Sequence, residues 1–511
     1  MSRFLRSFII ATVLFVGTTA HVGSPNAIFD GNAGGYPVRV VVRPPEVIPG
    51  TAEISVRILD GGADVQRVAV RPVFWRTGRQ GSPAADDAAR VPGPDHLFTG
   101  KLWLMSTGAY NIEVEVSGPR GTGTVSVPVV GAPTAEVKLG TGLTIMLVVL
   151  GAVLVAGLLS IVHAAAGEAL SRPGTDVPQP GRRRARIATA VAVPVVLALT
   201  VGGWNWWQAE AASYRRTLYR SLDTRAMVVD SGIAGAGRQL AFVITDSTWT
   251  PQRMTPLIPD HGKIMHMFVI ESSAPRAAFA HLHPERIDDS TFVTSLPALP
   301  PGAYDVYGDI VHESGFTRTL VGTVRVDRSD ATAAPGLDPD DSWHLASAEG
   351  LVRTPDGLAA AVPGGAIVWL GGGTEALRAG AETTLRFALR DGAGQPLGIE
   401  PYMGMGGHAV VLRDDASVFI HLHPMGTGAM AAQQAFEMRE RGDTTEAGRL
   451  RIPAGGADPG AAGSHAGHGA GLTSTVSFPY MFPKAGQYTV WVQVKHAGRV
   501  LTAQFDAAVG G

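Results

Sequence analysis

The chain has 511 residues, 42 Lys and Arg against 44 Asp and Glu, 64 Gly, 35 Pro and no Cys. That length accommodates several domains with their own cores, and a net charge of −2 with no basic stripe among aromatics gives no footing for nucleic acid. A cysteine-free chain has no disulfide, no thiolate zinc or iron–sulfur site, no blue-copper thiolate and no lipoprotein anchor.

Gly- and Pro-rich turns between short strand-like runs predict a mainly β fold. We expect three immunoglobulin-like or cupredoxin-like β-sandwich domains plus two transmembrane helices. Residues 1–20 read as a signal peptide: Arg3 and Arg6 precede the apolar run Phe8 to Val16, and Thr18-Thr19-Ala20 follows. That run is short beside the roughly 20 residues that span a bilayer. Residues 21–132 alternate as strands do, for example in Val38-Arg39-Val40-Val41-Val42, which predicts the first sandwich.

Uncharged apolar stretches at 141–163 and 187–207 predict transmembrane helices, the second ending in Trp204, Trp206 and Trp207 at an interface. Pro194 is a tolerated kink site within the second. Between them, a loop at 164–186 carries Arg172, Arg182, Arg183, Arg184 and Arg186 against Glu168 and Asp176. By the positive-inside rule this loop is cytoplasmic. The chain is then expected in the inner (cytoplasmic) membrane, with its N-terminal and C-terminal domains on the periplasmic or extracellular side. A stem follows at 208–224.

Two repeats complete the chain, at 225–328 and 342–511, joined by a linker rich in Asp, Ala and Pro. The first contains HMFVIESSAPRAAFAHLHP from His266 and the second HAVVLRDDASVFIHLHP from His408. Tyr304 to His312 (YDVYGDIVH) and Tyr488 to His496 (YTVWVQVKH) align without a gap. The second repeat also holds an insertion at 425–472, with a short helix expected over 429–440 and a low-complexity run containing His465 and His468 expected to be mobile.

Side chains two apart on a strand share a face. His281 and His283 therefore point together, as do His421 and His423, with Leu282 and Leu422 turned into a core. Adding the leading and the hairpin histidines predicts one metal site per repeat: His266, His281, His283 and His312 in the first, and His408, His421, His423 and His496 in the second. Imidazole suits copper, zinc, nickel and iron. The thioethers of Met403, Met405, Met425 and Met481 lean toward copper, as Cu(I) or Cu(II), with zinc as the alternative. Met265 and Met267 alternate with His266 and are expected in the core.

Signal cleavage after Ala20 would expose the amine of His21 beside its own imidazole, an arrangement that chelates copper. With Asp95-His96 as partner, residues 21–132 resemble the CopC-type copper-binding sandwiches, which implies a copper site at His21 and His96. The chain departs from that pattern because Asp95 and His96 are adjacent. The repeats, through Phe279-Ala280-His281-Leu282-His283-Pro284 and Phe419-Ile420-His421-Leu422-His423-Pro424, resemble exported bacterial membrane proteins with repeated Phe-x-His-x-His-Pro domains. That group implies no defined activity.

The reading these features favour is a membrane-anchored periplasmic protein that binds a metal ion, copper first, for storage, delivery or tolerance. A structural scaffold docking an envelope protein partner, with purely structural histidines, is the competing one. No nucleophile elbow, His-Glu-x-x-His helix or phosphate loop supports an enzyme.

Overall fold

Strands form where Val, Ile, Thr and aromatic residues run between Gly and Asp turns, and this chain repeats that pattern in all three β-rich segments. The computed structural model describes residues 26–93, 96–136, 139–172, 174–230, 237–250, 256–328, 338–346, 350–452 and 473–511. It is mainly β, with sandwich-like domains and two long apolar helices. The chain divides into two units, one of residues 26–45, 49–131 and 220–511, the other of 46–48 and 132–219.

The smaller unit is a helical hairpin. Helices α1 (Thr141–Glu168) and α2 (Gln179–Arg215) are both long and apolar enough to cross a membrane. Most of the expected loop at 164–186 is helical: α1 runs on to Glu168, and Arg182, Arg183, Arg184 and Arg186 lie in the first turns of α2. Ala and Arg are strong helix formers, and Pro180 is tolerated in the first turn, where its missing N–H is an orphan anyway. Much of the expected stem simply continues α2.

In the larger unit the N-terminal sandwich pairs a five-stranded with a four-stranded sheet around Val38, Val40, Val56, Val70 and Val114. Each repeat is a sandwich of an outer and an inner sheet. The inner sheets share one strand order: a long hairpin, then the strand opened by the leading histidine, then the His-x-His strand. In the first repeat these are Thr317–Val326 and Gly302–His312, His266–Glu271, and Ala278–Leu282. In the second they are Arg499–Gly510 and Gly486–His496, His408–Arg413, and Phe419–Leu422. Ser342–Leu345, expected to open the second repeat, instead pairs with Ala278–Leu282 and finishes the first repeat's sheet.

Alternation assigns each inner-sheet side chain to a face. Met267, Val269, Leu282, Val306 and Ile310 enter the core of the first sandwich. Phe268, Ile270, Phe279 and Tyr307 leave by the opposite face and meet Val410, Leu412, Phe419 and Trp491, their counterparts in the second repeat. The contact is reciprocal: Phe279 stacks on Trp491 at 5.1 Å, and Phe419 on Tyr307 at 4.1 Å. The two inner sheets are thus buried on both faces, and the repeats form one body around a pseudo-two-fold.

The insertion is partly a brace. Helix α3 (Met430–Glu440) buries Ala431, Ala432 and Ala435 against Ile258 and Val311 of the first repeat. Phe29 of the N-terminal sandwich forms a bridge with Gly426, where a Cβ would lie 1.9 Å from the Ile28 carbonyl oxygen. Met425, read as a possible thioether ligand, packs on the core of that sandwich. Residues 453–472, with His465 and His468, lie outside the described residues.

Phe419 is fully buried between the repeats. Phe419→Ala should cost about 3–5 kcal/mol in the denaturant-unfolding transition of the paired repeats. A loss under about 1 kcal/mol would mean that the two inner faces do not pack on each other.

Candidate metal centre

The face that carries the aromatic contact also carries the histidines. His266 and Phe268 alternate outward on one strand, and His281 follows Phe279 on the next. The second repeat repeats this with His408 and Val410, and with Phe419 and His421. His283 and His423 continue the same faces just past the strand ends. All six side chains therefore converge between the repeats, none more than 6% exposed.

The pairs of rings that meet across the pseudo-two-fold include His266 with His421 at 5.2 Å and His281 with His421 at 5.6 Å between centroids. A seventh imidazole, His261, lies 5.7 Å from His408 and 5.2 Å from His423. The expected two sites are thus replaced by one cluster built from both repeats. The reason is that the imidazole-bearing face points away from its own sandwich interior.

His312 and His496 do not join the cluster. On the strand Gly302–His312, Tyr307 and Asp309 face the other repeat, so His312, three positions from Asp309, faces the opposite way, 5.7 Å from Trp249. In the second repeat Trp491 and Gln493 face the cluster, and His496 donates through Nδ1 to the Gly398 carbonyl oxygen at 2.8 Å. The positions the sequence places next to the leading histidines are therefore held by Asp309, which pairs in register with His266, and Gln493, which pairs with His408. Met265 and Met267 are buried in the first sandwich and Met481 beside Ile28 and Val41.

His21 and Asp95 lie outside the described residues. His96 adopts a left-handed φ of 46° against the Gly62 turn and belongs to none of the three groups of candidate ligand atoms among the described residues.

His261 sits on a turn that both repeats share. Asp260 bridges to Lys263 and Tyr402 to Met405, and φ is 50° then 78° at His261-Gly262 and again at Met403-Gly404. The second repeat places Met403 where the first has His261. Aligning Asp260-His261-Gly262 with Tyr402-Met403-Gly404 was the available sequence signal for this residue.

Hydrogen-bond partners constrain the tautomers. Gln493 places its amide nitrogen 2.5 Å from Ser342 Oγ and 3.2 Å from Thr502 Oγ1, and in that orientation its Oε1, 2.8 Å from His281 Nδ1, accepts from the ring. Both hydroxyls donate as well as accept, so the reversed amide fits equally, giving its N–H to His281 Nδ1 and leaving the ring proton on Nε2. His266 Nε2 faces the Asp260 carbonyl oxygen at 3.2 Å and must donate, leaving His266 Nδ1 as a lone pair. In the first orientation two lone pairs face each other at 3.1 Å, which a proton charging one ring or a metal ion between them would satisfy; in the second His281 Nε2–H donates to His266 Nδ1. The separation is close to the ~3.3 Å expected for two nitrogens bound about 2.0–2.1 Å from a tetrahedral ion.

The remaining rings also offer lone pairs. Asp341 Oδ1 accepts from both the backbone N–H and the Nδ1 of His283, each at 2.8 Å, which frees Nε2. His423 Nδ1 donates to the Gly428 carbonyl oxygen at 3.2 Å and likewise frees Nε2. Both nitrogens of His261 and of His408, with Nε2 of His283, His421 and His423, are buried without a hydrogen-bond partner. Leaving each unsatisfied would cost about 1–3 kcal/mol. Summed over seven atoms, that rivals a whole domain's stability of about 5–15 kcal/mol.

Burial, reinforced by neighbouring imidazoles, holds His266, His281, His408 and His421 well below the usual histidine range and brings His423 to about 4. Burial pushes Asp309, 3.7 Å from His421 Nδ1, up to about 7, against the opposing hydrogen bond from Thr319. The rings are thus neutral at pH 7, the form that binds metal.

The fold and cluster define a class: two β-sandwich repeats packed face to face around buried imidazoles, in a chain with two membrane-length apolar helices. The chain belongs to the family of a domain of unknown function, DUF8832, whose model matches residues 223–328 and 361–511, just over half its length and the two repeats themselves. No curated protein matches. Among solved structures, it is similar at 9% identity and a TM-score of 0.19 to a mutant of Salmonella alpha-2-macroglobulin, covering 95% of this chain and 23% of that one. For latent PorU of Porphyromonas gingivalis the values are 7%, 0.15, 95% and 34%. For a putative membrane anchored protein of Corynebacterium diphtheriae they are 10%, 0.14, 95% and 95%. The chain thus spans about a quarter and about a third of the first two, and similarities this weak bear on no function.

The lowered histidine pKa values set a pH dependence for the metal-free protein. Below about pH 6.5 the unfolded chain takes up protons that the folded cluster refuses, so stability is full above that pH and falls as pH drops toward about 4 and beyond. Asp309 acts in the opposite sense, binding one proton in the folded state between about 7 and 4, and offsets only one of the five rings. Thermal unfolding of the metal-free chain should show a falling midpoint from pH 7 to pH 4.5; a level or rising midpoint would contradict neutral buried rings.

Proposed function

We propose that this chain is a membrane-anchored metal-binding protein, with copper its ion, serving copper storage, delivery or tolerance on the exported side of a cytoplasmic membrane. The single observation that carries this is the set of seven buried ring nitrogens, on His261, His283, His408, His421 and His423, that have no hydrogen-bond partner among the described residues. A metal ion takes up such lone pairs without charging rings, such as His408 and His421, whose burial opposes charge. The two all-imidazole groups disfavour calcium and magnesium, which take oxygen ligands, and suit copper or zinc; the third group joins His283 with Asp338 and Asp341.

Asp341 and the carbonyl of Asp260 each take the far-side proton of a ring and aim its other nitrogen inward, the arrangement that orients histidine toward metal. The export side rests on the arginines around the helical hairpin, and the resemblance of the N-terminal sandwich to CopC-type proteins accords with copper.

The full chain in detergent, dialysed against copper at pH 7 and then against buffer, should retain metal, less of it as pH falls below about 6. A chain that emerges without copper or zinc sinks the reading. His281→Gln combined with His283→Gln separates it from the scaffold alternative. Copper at a hundredfold its dissociation constant should stabilise the unsubstituted protein by about 2.7 kcal/mol. It should stabilise the double variant far less, whereas structural histidines predict equal losses with and without copper.

A further inference from the structure

Two of the three donor groups consist of imidazoles alone and share no residue; the third joins His283 with Asp338 and Asp341. Nitrogens of His261, His408 and His423 lie within 4.8 Å of one another, and nitrogens of His266, His281 and His421 do likewise. Building on the metal-binding reading, we propose that the cluster is a two-ion centre holding one cuprous ion in each triad, every ion taking ligands from both repeats.

One ion cannot serve the whole set. With bonds near 2.0–2.1 Å, an ion gathers donors no more than about 4.2 Å apart, and four is the usual complement of nitrogen ligands. Seven imidazoles exceed that complement; rings of different triads do approach, His421 and His423 to 4.5 Å and His408 and His421 to 5.2 Å between centroids, but the imidazole nitrogens that lie within 4.8 Å of one another fall into two separate triads. Filling the His266 triad would also leave His261 and His408 without a partner on either nitrogen.

Each triad draws two residues from one repeat and one from the other. His261 comes from the first repeat to join His408 and His423 of the second. His421 comes from the second to join His266 and His281 of the first. Every ion is therefore a crosslink between the sandwiches.

Charge and coordination number select the ion. The carboxylates beside the rings include Asp260, 3.8 Å from His261, Asp309, 3.7 Å from His421, and Asp341, 2.8 Å from His283; Asp338, 4.0 Å from His283, is already paired with Lys263. Two monovalent ions bring a charge these can balance; two divalent ions bring twice as much, and each uncompensated buried charge costs several kcal/mol. Three nitrogens complete the coordination of a cuprous ion, whereas zinc in protein sites is almost always four-coordinate.

The test counts cuprous ions on the full chain in detergent, loaded anaerobically in competition with a chromogenic cuprous chelator. His408→Gln with His423→Gln should remove one ion, and His266→Gln with His421→Gln should remove one other, each leaving the second ion in place. His261→Met is a milder variant, because Met403 already occupies the same left-handed turn position in the second repeat and the fold accepts it there. With zinc as probe, His261→Met should weaken one of two binding events tenfold or more and leave the other unchanged. Binding of only one cuprous ion by the unsubstituted chain, abolished by either pair of substitutions, together with a single zinc-binding event in all, overturns the two-ion centre while leaving metal binding standing. No copper on the unsubstituted chain overturns both.

Discussion

The constraint on which everything else depends is that each repeat buries both faces of its inner sheet. One face closes its own sandwich; the other, with Phe268, Ile270, Phe279 and Tyr307 in the first repeat, closes against Val410, Leu412, Phe419 and Trp491. Water is excluded from that second face, so any polar group upon it must find its partner there. The histidines lie in the same outward rows as these apolar side chains. Their burial is a consequence of strand alternation, and their convergence is a consequence of pseudo-two-fold pairing.

Within that buried interface several rings are oriented by an acceptor. Carbonyl oxygens of Asp260 and Gly428 and the carboxylate of Asp341 accept from His266, His423 and His283, and the Gln493 amide lies 2.8 Å from His281 Nδ1. The partners are exchanged between repeats: His281 of the first is held by Gln493 of the second, while His421 of the second faces Asp309 of the first. Aligned positions thus carry a neutral amide on one side and a titrating carboxyl on the other. The two halves are alike in geometry and unlike in charge.

Much of this was legible in the residues. The sandwiches, the two apolar helices and the co-facing His-x-His doublets follow from periods of two, from turn residues and from uncharged runs. What was not legible was which repeat each face would meet. Unbroken apolar runs such as Met267-Phe268-Val269-Ile270 signalled burial on both faces, but a strand pattern does not name the covering partner. His312 and His496 were assigned by alignment rather than by register; counting alternation from the strand opposite His266 would have selected Asp309 instead. Asp341 stood in a stretch read as linker, and His261 was hidden because its counterpart is Met403.

A site divided between two domains behaves differently from one enclosed in either. The facing nitrogens of His266 and His281 belong to one repeat, but Gln493 of the other contacts His281 and His421 of the other supplies the third donor. An ion that needs all three binds only the paired form, and by linkage it stabilises the pairing by as much as pairing strengthens its hold. In the metal-free chain, the aromatic stacks of Phe279 on Trp491 and Phe419 on Tyr307 must offset the unsatisfied imidazoles alone. Apolar contact thus brings the sheets together and leaves the ring nitrogens, with Trp491 Nε1, unsatisfied among the described residues of the interface; an ion held as proposed would remove the imidazoles' share of that deficit.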